Sequence, residues 1–528
     1  MATLRALLRR GLHPAYFGSR GLGHLPIRSL ATTSSRGSTS YLNRLHEDQQ
    51  PLVQGEPQKP HIITSVIPGP KTKAGLDHLN QLQDTRAAFI MTDLDKSIGN
   101  FVADLDGNIA SAGGLYMGQC DQKYLDVFCQ IASLPLGYNS KALIDAASSP
   151  EMIQMLVNRP ALGVQPHSTW AKALEQSVMS MAPKGMTQVF TAMCGTCSNE
   201  TAYKAAFMYH QRQKRGGAPI STEELSTCMK NVGPGSPDLA IMSFHGGFHG
   251  RLFGSLSTTY TKPLHKADIP AFSKWVSSPF PELKYPLEKH QTDNDKEEAR
   301  CLALAEDKMK HAKTPIAALI VEPIQSEGGD NHASPRFFQG LRDLTKKYGI
   351  LMIVDEVQTG VGPTGHFWAH EAWNLTTPPD IVTFSKKFQA AGWFHRPEIR
   401  PDAPYRNFNT WLGDPVRIIQ AKTILDEIKK NDLVRNAAVT GAYLKKELHS
   451  IESKYPGVIS AVRGQGTFMA FDLPSPQERD VFVSRLKSAG VIAGGCGPQS
   501  IRLRPMLVFQ KRHADIFLDA VERVASQH

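Results

Sequence analysis

The sequence predicts an α/β fold, with a large domain on a mainly parallel sheet and a smaller α+β domain from about residue 409 onward. Three observations predict it. Five short apolar runs, at 187–193, 239–244, 316–321, 350–354 and 380–384, each end in polar or glycine-containing segments. Stretches of helical character, long enough for crossover connections, separate them. Strands buried on both faces of a parallel sheet need such near-continuous apolar runs, whereas half-exposed strands alternate. After the fifth run the pattern changes: 417–430 and 437–453 read as amphipathic helices, 467–471 as a strand and 513–524 as a closing helix.

The order of segments follows from composition. At 528 residues the chain can bury more than one core. Its 41% hydrophobic and 20% charged residues are ordinary globular usage, which sets disorder and fibrous architectures aside. Residues 1–37 are rich in Arg, Ser and Thr and free of acids, with Leu4, Leu7 and Leu8 beside Arg5, Arg9 and Arg10. This reads as an amphipathic mitochondrial presequence and predicts the matrix. Residues 38–110 form an N-terminal arm, rich at first in Pro, Gly, Gln and charges, irregular and expected to pack on the small domain. Residues 111–408 make the large domain and 409–528 the small one.

Charge and cysteine content exclude several function classes. Seven arginines precede the first acid, Glu47; without them the formal +10 falls to +3, too little for a nucleic-acid footprint. No run of about 18 apolar residues predicts a membrane span. Seven cysteines, an odd set without a secretory signal, argue against a disulfide framework.

In open parallel sheets, ligands bind beyond the carboxyl ends of the strands, so the residues after each run carry the function. The fifth run delivers Lys386. A lysine held there is partly desolvated, which lowers its pKa and readies the amine to form a Schiff base, although most strand-end lysines are simply solvated. The fourth run ends in Asp355-Glu356. A carboxylate there can keep a pyridine nitrogen protonated, cap a helix, or hold a metal beside a nucleotide. The nucleotide reading needs a Gly-x-x-x-x-Gly-Lys-Ser/Thr loop, which the chain lacks. The stretch 360–365 fits Gly-x-Gly-x-x-Gly, but it is separated from the strand and interrupted by Pro363, so it reads as a loop.

The first run leads into Cys-Gly-Thr-Cys-Ser-Asn-Glu at 194–200 and then a helical stretch. A small-residue turn opening a helix offers N–H groups to a phosphate, with Gly195 and Thr196 as contacts; an ordinary cap by Ser198 or Thr196 fits equally well. Cys194 and Cys197 make a redox dithiol or half of a thiolate metal site, which a two-fold dimer would complete. After the second run come His245, Phe248, His249 and Arg251. Phe248 or His249 can stack on a flat ring, and Arg251 offers a fork to a carboxylate. Gly246, Gly247 and Gly250 argue for a loop and against a helical two-histidine metal site.

Together these segments resemble the class-III aminotransferases of pyridoxal-phosphate fold type I, and within that family the eukaryotic members that act on 4-aminobutyrate. The motifs are 194–200, 248–251, Val-Glu-Pro-Ile-Gln-Ser-Glu-Gly-Gly-Asp-Asn-His at 321–332, 354–359, Thr-Phe-Ser-Lys-Lys at 383–387, 403–414, 494–497 and Ile-Arg-Leu-Arg-Pro at 501–505. The resemblance spans roughly residue 60 to the C-terminus. It implies pyridoxal 5'-phosphate bonded to Lys386, which also shuttles the substrate proton. It implies Asp355 on the ring nitrogen, Gln358 on the phenolic oxygen, Phe248 or His249 over the ring, and Gly195 with Thr196 on the phosphate. Thr410 would reach the phosphate from the neighbouring subunit of a homodimer.

For substrates the resemblance implies Arg251 on the 4-aminobutyrate carboxylate, Arg502 on the α-carboxylate of 2-oxoglutarate, Glu327 paired with Arg502 until the keto acid arrives, and Ile131 in the substrate pocket. Cys194 and Cys197 would bridge a [2Fe-2S] cluster between subunits. Two departures stand out: Thr196 replaces a serine, and Ala391 interrupts a Gly-Gly pair after the lysine. The implied reaction is ping-pong transamination of 4-aminobutyrate and 2-oxoglutarate to succinate semialdehyde and glutamate. The alternatives are an ω-aminotransferase acting on β-alanine or ornithine, and a structural protein that binds cofactor and cluster without exchange.

Overall fold

A computed structural model describes residues 50–107 and 123–528, so the expected presequence lies outside the described residues. Where the sequence predicts an irregular arm, Pro70–Leu79 is a helix. Pro70 has the fixed φ of a first turn, and the Asp106 carboxylate accepts the otherwise orphaned N–H groups of Lys71 and Thr72 at 2.7 and 2.9 Å. That acceptor stands 35 residues beyond Lys71, so no local pattern announces it. Strands β1 (Thr92–Ile98), β2 (Phe101–Asp104) and β3 (Lys123–Asp126) follow, paired antiparallel in sequence order.

The large sheet has seven strands: β4 (Gln188–Ala192), β5 (Ala240–Phe244), β6 (Val276–Ser278), β7 (Ile316–Val321), β8 (Leu351–Asp355), β9 (Ile381–Phe384) and β10 (Ala391–His395). Their order is β4-β10-β9-β8-β7-β5-β6. The five predicted runs are β4, β5, β7, β8 and β9. Every residue of β5, β7, β8 and β9 is buried, as strands covered on both faces require. β10, which no run predicted, is antiparallel to both β9 and β4. Only the tight turn after Lys386 connects it to β9, too short for a crossover, so the chain must reverse. The other six strands run one way, and the residues that follow β4, β5, β7, β8 and β9 all emerge at one edge.

Toward the C-terminus come β11 (Ser460–Gln465), β12 (Phe468–Asp472), β13 (Val491–Ile492), β14 (Gly494–Cys496) and β15 (Ser500–Leu503). Four form an antiparallel sheet, β11-β12-β15-β14, while β13 pairs in parallel with β3. The helices Leu433–Lys454, Pro476–Ser488 and Lys511–Ala525 complete this region. Phe101 and Leu125 are fully buried in its core, in one cluster with Leu444, Phe471, Phe482 and Phe517. Each contributes about 1.5–3 kcal/mol of hydrophobic stabilisation to the attachment of β2 and β3. Among the described residues no helix is long and apolar enough to cross a membrane.

Candidate active site

The strand-end edge encloses a cavity of about 530 Å³. Cys194, Gly195 and Thr196 line it, with Phe248, His249, Asp355, Gln358 and Lys386. With Glu322, which follows β7, residues from five separate strand ends share one space.

Lys386 follows β9 after a single residue, Ser385, and holds φ at +44°, in the left-handed region, at a cost on the order of 1 kcal/mol. A hydrogen bond from Gln389 N to Lys386 O, at 2.7 Å, closes the turn. Among the described residues no hydrogen bond or ion pair engages the Lys386 amine. Burial, and after it the charge of Arg502, pushes its pKa down to about 7, so a large share of the amine is unprotonated near neutrality. Lys387 differs: it is buried and donates to Pro505 O at 2.8 Å. Of the two adjacent lysines, only Lys386 lines the cavity.

Asp355, the last residue of β8, is 4% exposed. Its Oδ2 accepts from Asn199 Nδ2 and from His249 Nδ1, each at 2.9 Å, and its Oδ1 accepts from Val357 N at 3.1 Å. Because the carboxylate accepts, the His249 hydrogen sits on Nδ1. Asn199 also donates to His249 O at 2.8 Å, so one amide locks carboxylate and histidine together. Sequence reasoning passed over Asn199, although it lies one helical turn beyond Gly195.

The helix Gly195–Lys214 begins at the cavity with no acid in its first turn. Among the described residues no acceptor takes the N–H groups of Gly195 and Thr196. A Cβ at Gly195 would lie 2.6 Å from Val357 Cγ1, so only glycine fits against that wall. Gly250 holds φ at +125°, and a Cβ there would come within 2.6 Å of Thr196 Oγ1. The predicted loop at 360–365 turns on itself, with the N–H groups of Val361 and Gly362 both donating to Phe367 O, and opens no helix.

A second omission is Glu322, directly after β7, where the strand-end rule also pointed. Its carboxyl accepts from Phe248 N at 2.8 Å and Ser326 N at 3.2 Å, joining two loops that face the cavity. Burial, then the charge of Asp355, pushes this carboxyl well above its usual range.

Beside the cavity, Glu327 Oε2 meets Arg502 Nη1 at 2.5 Å, a bridge from the segment after β7 to β15. Burial raises the Glu327 carboxyl, but the charge and hydrogen bond of Arg502 outweigh it and hold the carboxyl below its usual range. Arg251 is exposed, its guanidinium 5.4 Å from the centre of the Phe248 ring and 3.3 Å from His265 Nε2. Ile131 is exposed and lies in a run of four left-handed residues, Cys129 to Ala132. Thr410 is exposed, and Arg251, Ile131 and Thr410 do not line the cavity. The Cys194 and Cys197 sulfurs stand 3.5 Å apart, and burial, then Cys194, pushes the Cys197 thiol up to about 11. Among the described residues no three His, Cys, Asp or Glu side chains cluster as metal ligands.

The donor set fits pyridoxal phosphate. Unclaimed helix N–H groups suit its phosphate, a caged carboxylate suits its ring nitrogen, and a weakly basic amine suits its aldehyde. Comparison with known proteins agrees. The family described as aminotransferase class-III matches residues 85–525. The 4-aminobutyrate aminotransferase of Dictyostelium discoideum is 54% identical over 477 residues, covering 90% of this chain and 93% of that protein. The mitochondrial 4-aminobutyrate aminotransferase of Sus scrofa is 46% identical over 461 residues, covering 87% of this chain and 89% of that one. A solved lysine aminotransferase from M. tuberculosis superposes with a TM-score of 0.74 at 29% identity, covering 86% of this chain and 98% of that one. The chain belongs to the class-III aminotransferases, pyridoxal-phosphate-dependent transferases of fold type I.

Proposed function

We propose that the chain transfers the amino group of 4-aminobutyrate to 2-oxoglutarate, yielding succinate semialdehyde and glutamate. The observation that carries this reading is the Glu327–Arg502 bridge, whose two charges both act on the Lys386 amine. A donor with one carboxylate leaves that bridge closed, whereas a keto acid with two can displace Glu327 and claim the guanidinium. Relatives about half identical, named for 4-aminobutyrate, support the choice of donor.

When bound, pyridoxal phosphate supplies an aldehyde that accepts the amino group and a ring that withdraws electrons from the neighbouring carbon. The N–H groups of Gly195 and Thr196 hold its phosphate, and Asp355, fixed by Asn199 and His249, keeps the proton on its ring nitrogen. Phe248 or His249 covers the ring face, and Gln358 donates to the ring oxygen. Lys386 Nζ tethers the cofactor between turnovers and, when released, moves the proton at the amine-bearing carbon. Arg251 receives the carboxylate of 4-aminobutyrate and Arg502 the α-carboxylate of 2-oxoglutarate.

The assembly in this reading is a homodimer in which Thr410 serves the neighbouring subunit's cofactor phosphate. Exposed apolar side chains next to site residues support it: Met193 at 47%, Leu252 at 52% and Phe253 at 62%. Across the dimer, two Cys194–Cys197 pairs give the four thiolates of a [2Fe-2S] cluster, which iron and acid-labile sulfide analysis checks. The acid-free, Arg-rich segment 1–37 and the mitochondrial naming of the Sus scrofa relative support the matrix.

The test is a half-reaction. The cofactor-loaded chain is mixed with 4-aminobutyrate, β-alanine or ornithine, without keto acid, and the aldehyde absorbance followed. 4-Aminobutyrate should remove the band fastest. Faster loss with ornithine moves the assignment to another ω-amine, and no loss with any amine rejects transamination.

A further inference from the structure

Arg504 directly follows β15 and stands two residues beyond Arg502, yet its environment is different. It is 1% exposed and meets Asp330, itself fully buried, with both terminal nitrogens, Nη1 lying 3.0 Å from Oδ2. Its plane lies over Phe468, 3.4 Å from the ring centre. Asp330 is in turn held by Arg463, whose Nε donates to Asp330 O at 3.1 Å. The Arg504 guanidinium, unlike that of Arg502, cannot exchange partners. Its Nε donates to Gln358 Oε1 at 2.8 Å.

Arginine carries donors and no acceptor, so the Gln358 atom facing it must be the amide oxygen. The amide NH₂ must then point away from Arg504. Gln358 lines the cavity, and among the described residues no acceptor takes its Nε2 hydrogens. We infer that Arg504, locked by Asp330, fixes the Gln358 amide so that its NH₂ is the donor presented to the cofactor's ring oxygen. Arg504 is thus a positioning residue, acting through Gln358 without touching the cofactor. The inference rests on the cofactor reading above, and it makes the segment after β15 a determinant of cofactor electronics.

Arg504→Met alone would leave Asp330 buried and unpaired, so Arg504→Met/Asp330→Asn, which removes both charges, is the main variant. Arg504→Lys keeps a charge opposite Asp330 but has no Nε for Gln358. Gln358→Leu removes the amide and leaves the ion pair intact. Each is loaded with pyridoxal phosphate, and the visible maximum, its pH titration and the cofactor dissociation constant are measured. All three should show the same displaced maximum and about 5–10-fold weaker cofactor binding, the loss of one hydrogen bond. Adding Gln358→Leu to either Arg504 variant should change nothing further. A native maximum and titration in Arg504→Lys or in Gln358→Leu overturns the inference, as do additive effects in the combined variants. A native chain that shows no visible band after loading rejects the cofactor reading itself, a distinct outcome.

Discussion

The large sheet and the four-stranded C-terminal sheet both supply charge to the cavity, but they hold it differently. The large sheet contributes Asp355 and Lys386 from adjacent strand ends. Asp355 is caged by Asn199, His249 and a backbone N–H, and Lys386 is held by a closed turn. The C-terminal sheet contributes two arginines, Arg502 in a partly exposed bridge and Arg504 in a sealed one. Fixed groups suit a cofactor that stays, and an openable pair suits substrates that alternate.

Substitutions can break that contrast, beginning where the effect is largest. Lys386→Ala removes both tether and proton carrier, and turnover should fall by at least ~10³-fold with loss of the aldehyde absorbance. Asp355→Asn keeps the shape but removes the charge, and should cost on the order of 10²-fold in kcat, as loss of a preorganised electrostatic partner does. Arg502→Leu should act on the other side of the contrast: KM for 2-oxoglutarate rises ~10–100-fold, the worth of a charged hydrogen bond, while the half-reaction with 4-aminobutyrate changes far less. Equal damage to both half-reactions would mean that the two regions do not divide the work.

The smallest effect concerns pH. Burial and the charge of Arg502 lower the Lys386 pKa to about 7, so in the cofactor-free folded chain its labelling by an amine reagent should rise with pH and level off just above 7. In the unfolded chain the same lysine should keep gaining reactivity toward about 10.4. The sign for stability follows: between those values the folded chain binds fewer protons at this site than the unfolded chain. Lys386 therefore costs stability fully below about 7, and the cost fades as pH rises toward 10.4.

What was legible in the sequence tracks the same division. β5, β7, β8 and β9 announce themselves because burial on both faces demands unbroken apolar runs, and each run points at the residue beyond it. That is how Asp355 and Lys386 could be found from pattern alone. β10 stayed hidden because its direction depends on the turn after Lys386, and the helix Pro70–Leu79 because its cap comes from Asp106. Arg502 is legible only through the family resemblance, and Arg504 only as part of the motif at 501–505. Their partners, Glu327 and Asp330, lie 175 and 174 residues away, and no spacing rule reaches across that distance.

The most direct measurement traps the cofactor on the chain. The pyridoxal-phosphate-loaded protein is reduced with borohydride, digested and mapped by mass spectrometry. The phosphopyridoxyl mass should sit on Lys386, with Lys387 unmodified beside it, and should vanish in Lys386→Ala. The same mass on Lys387 or on a lysine outside the cavity, with Lys386 unmodified, would contradict the assignment of the reactive amine.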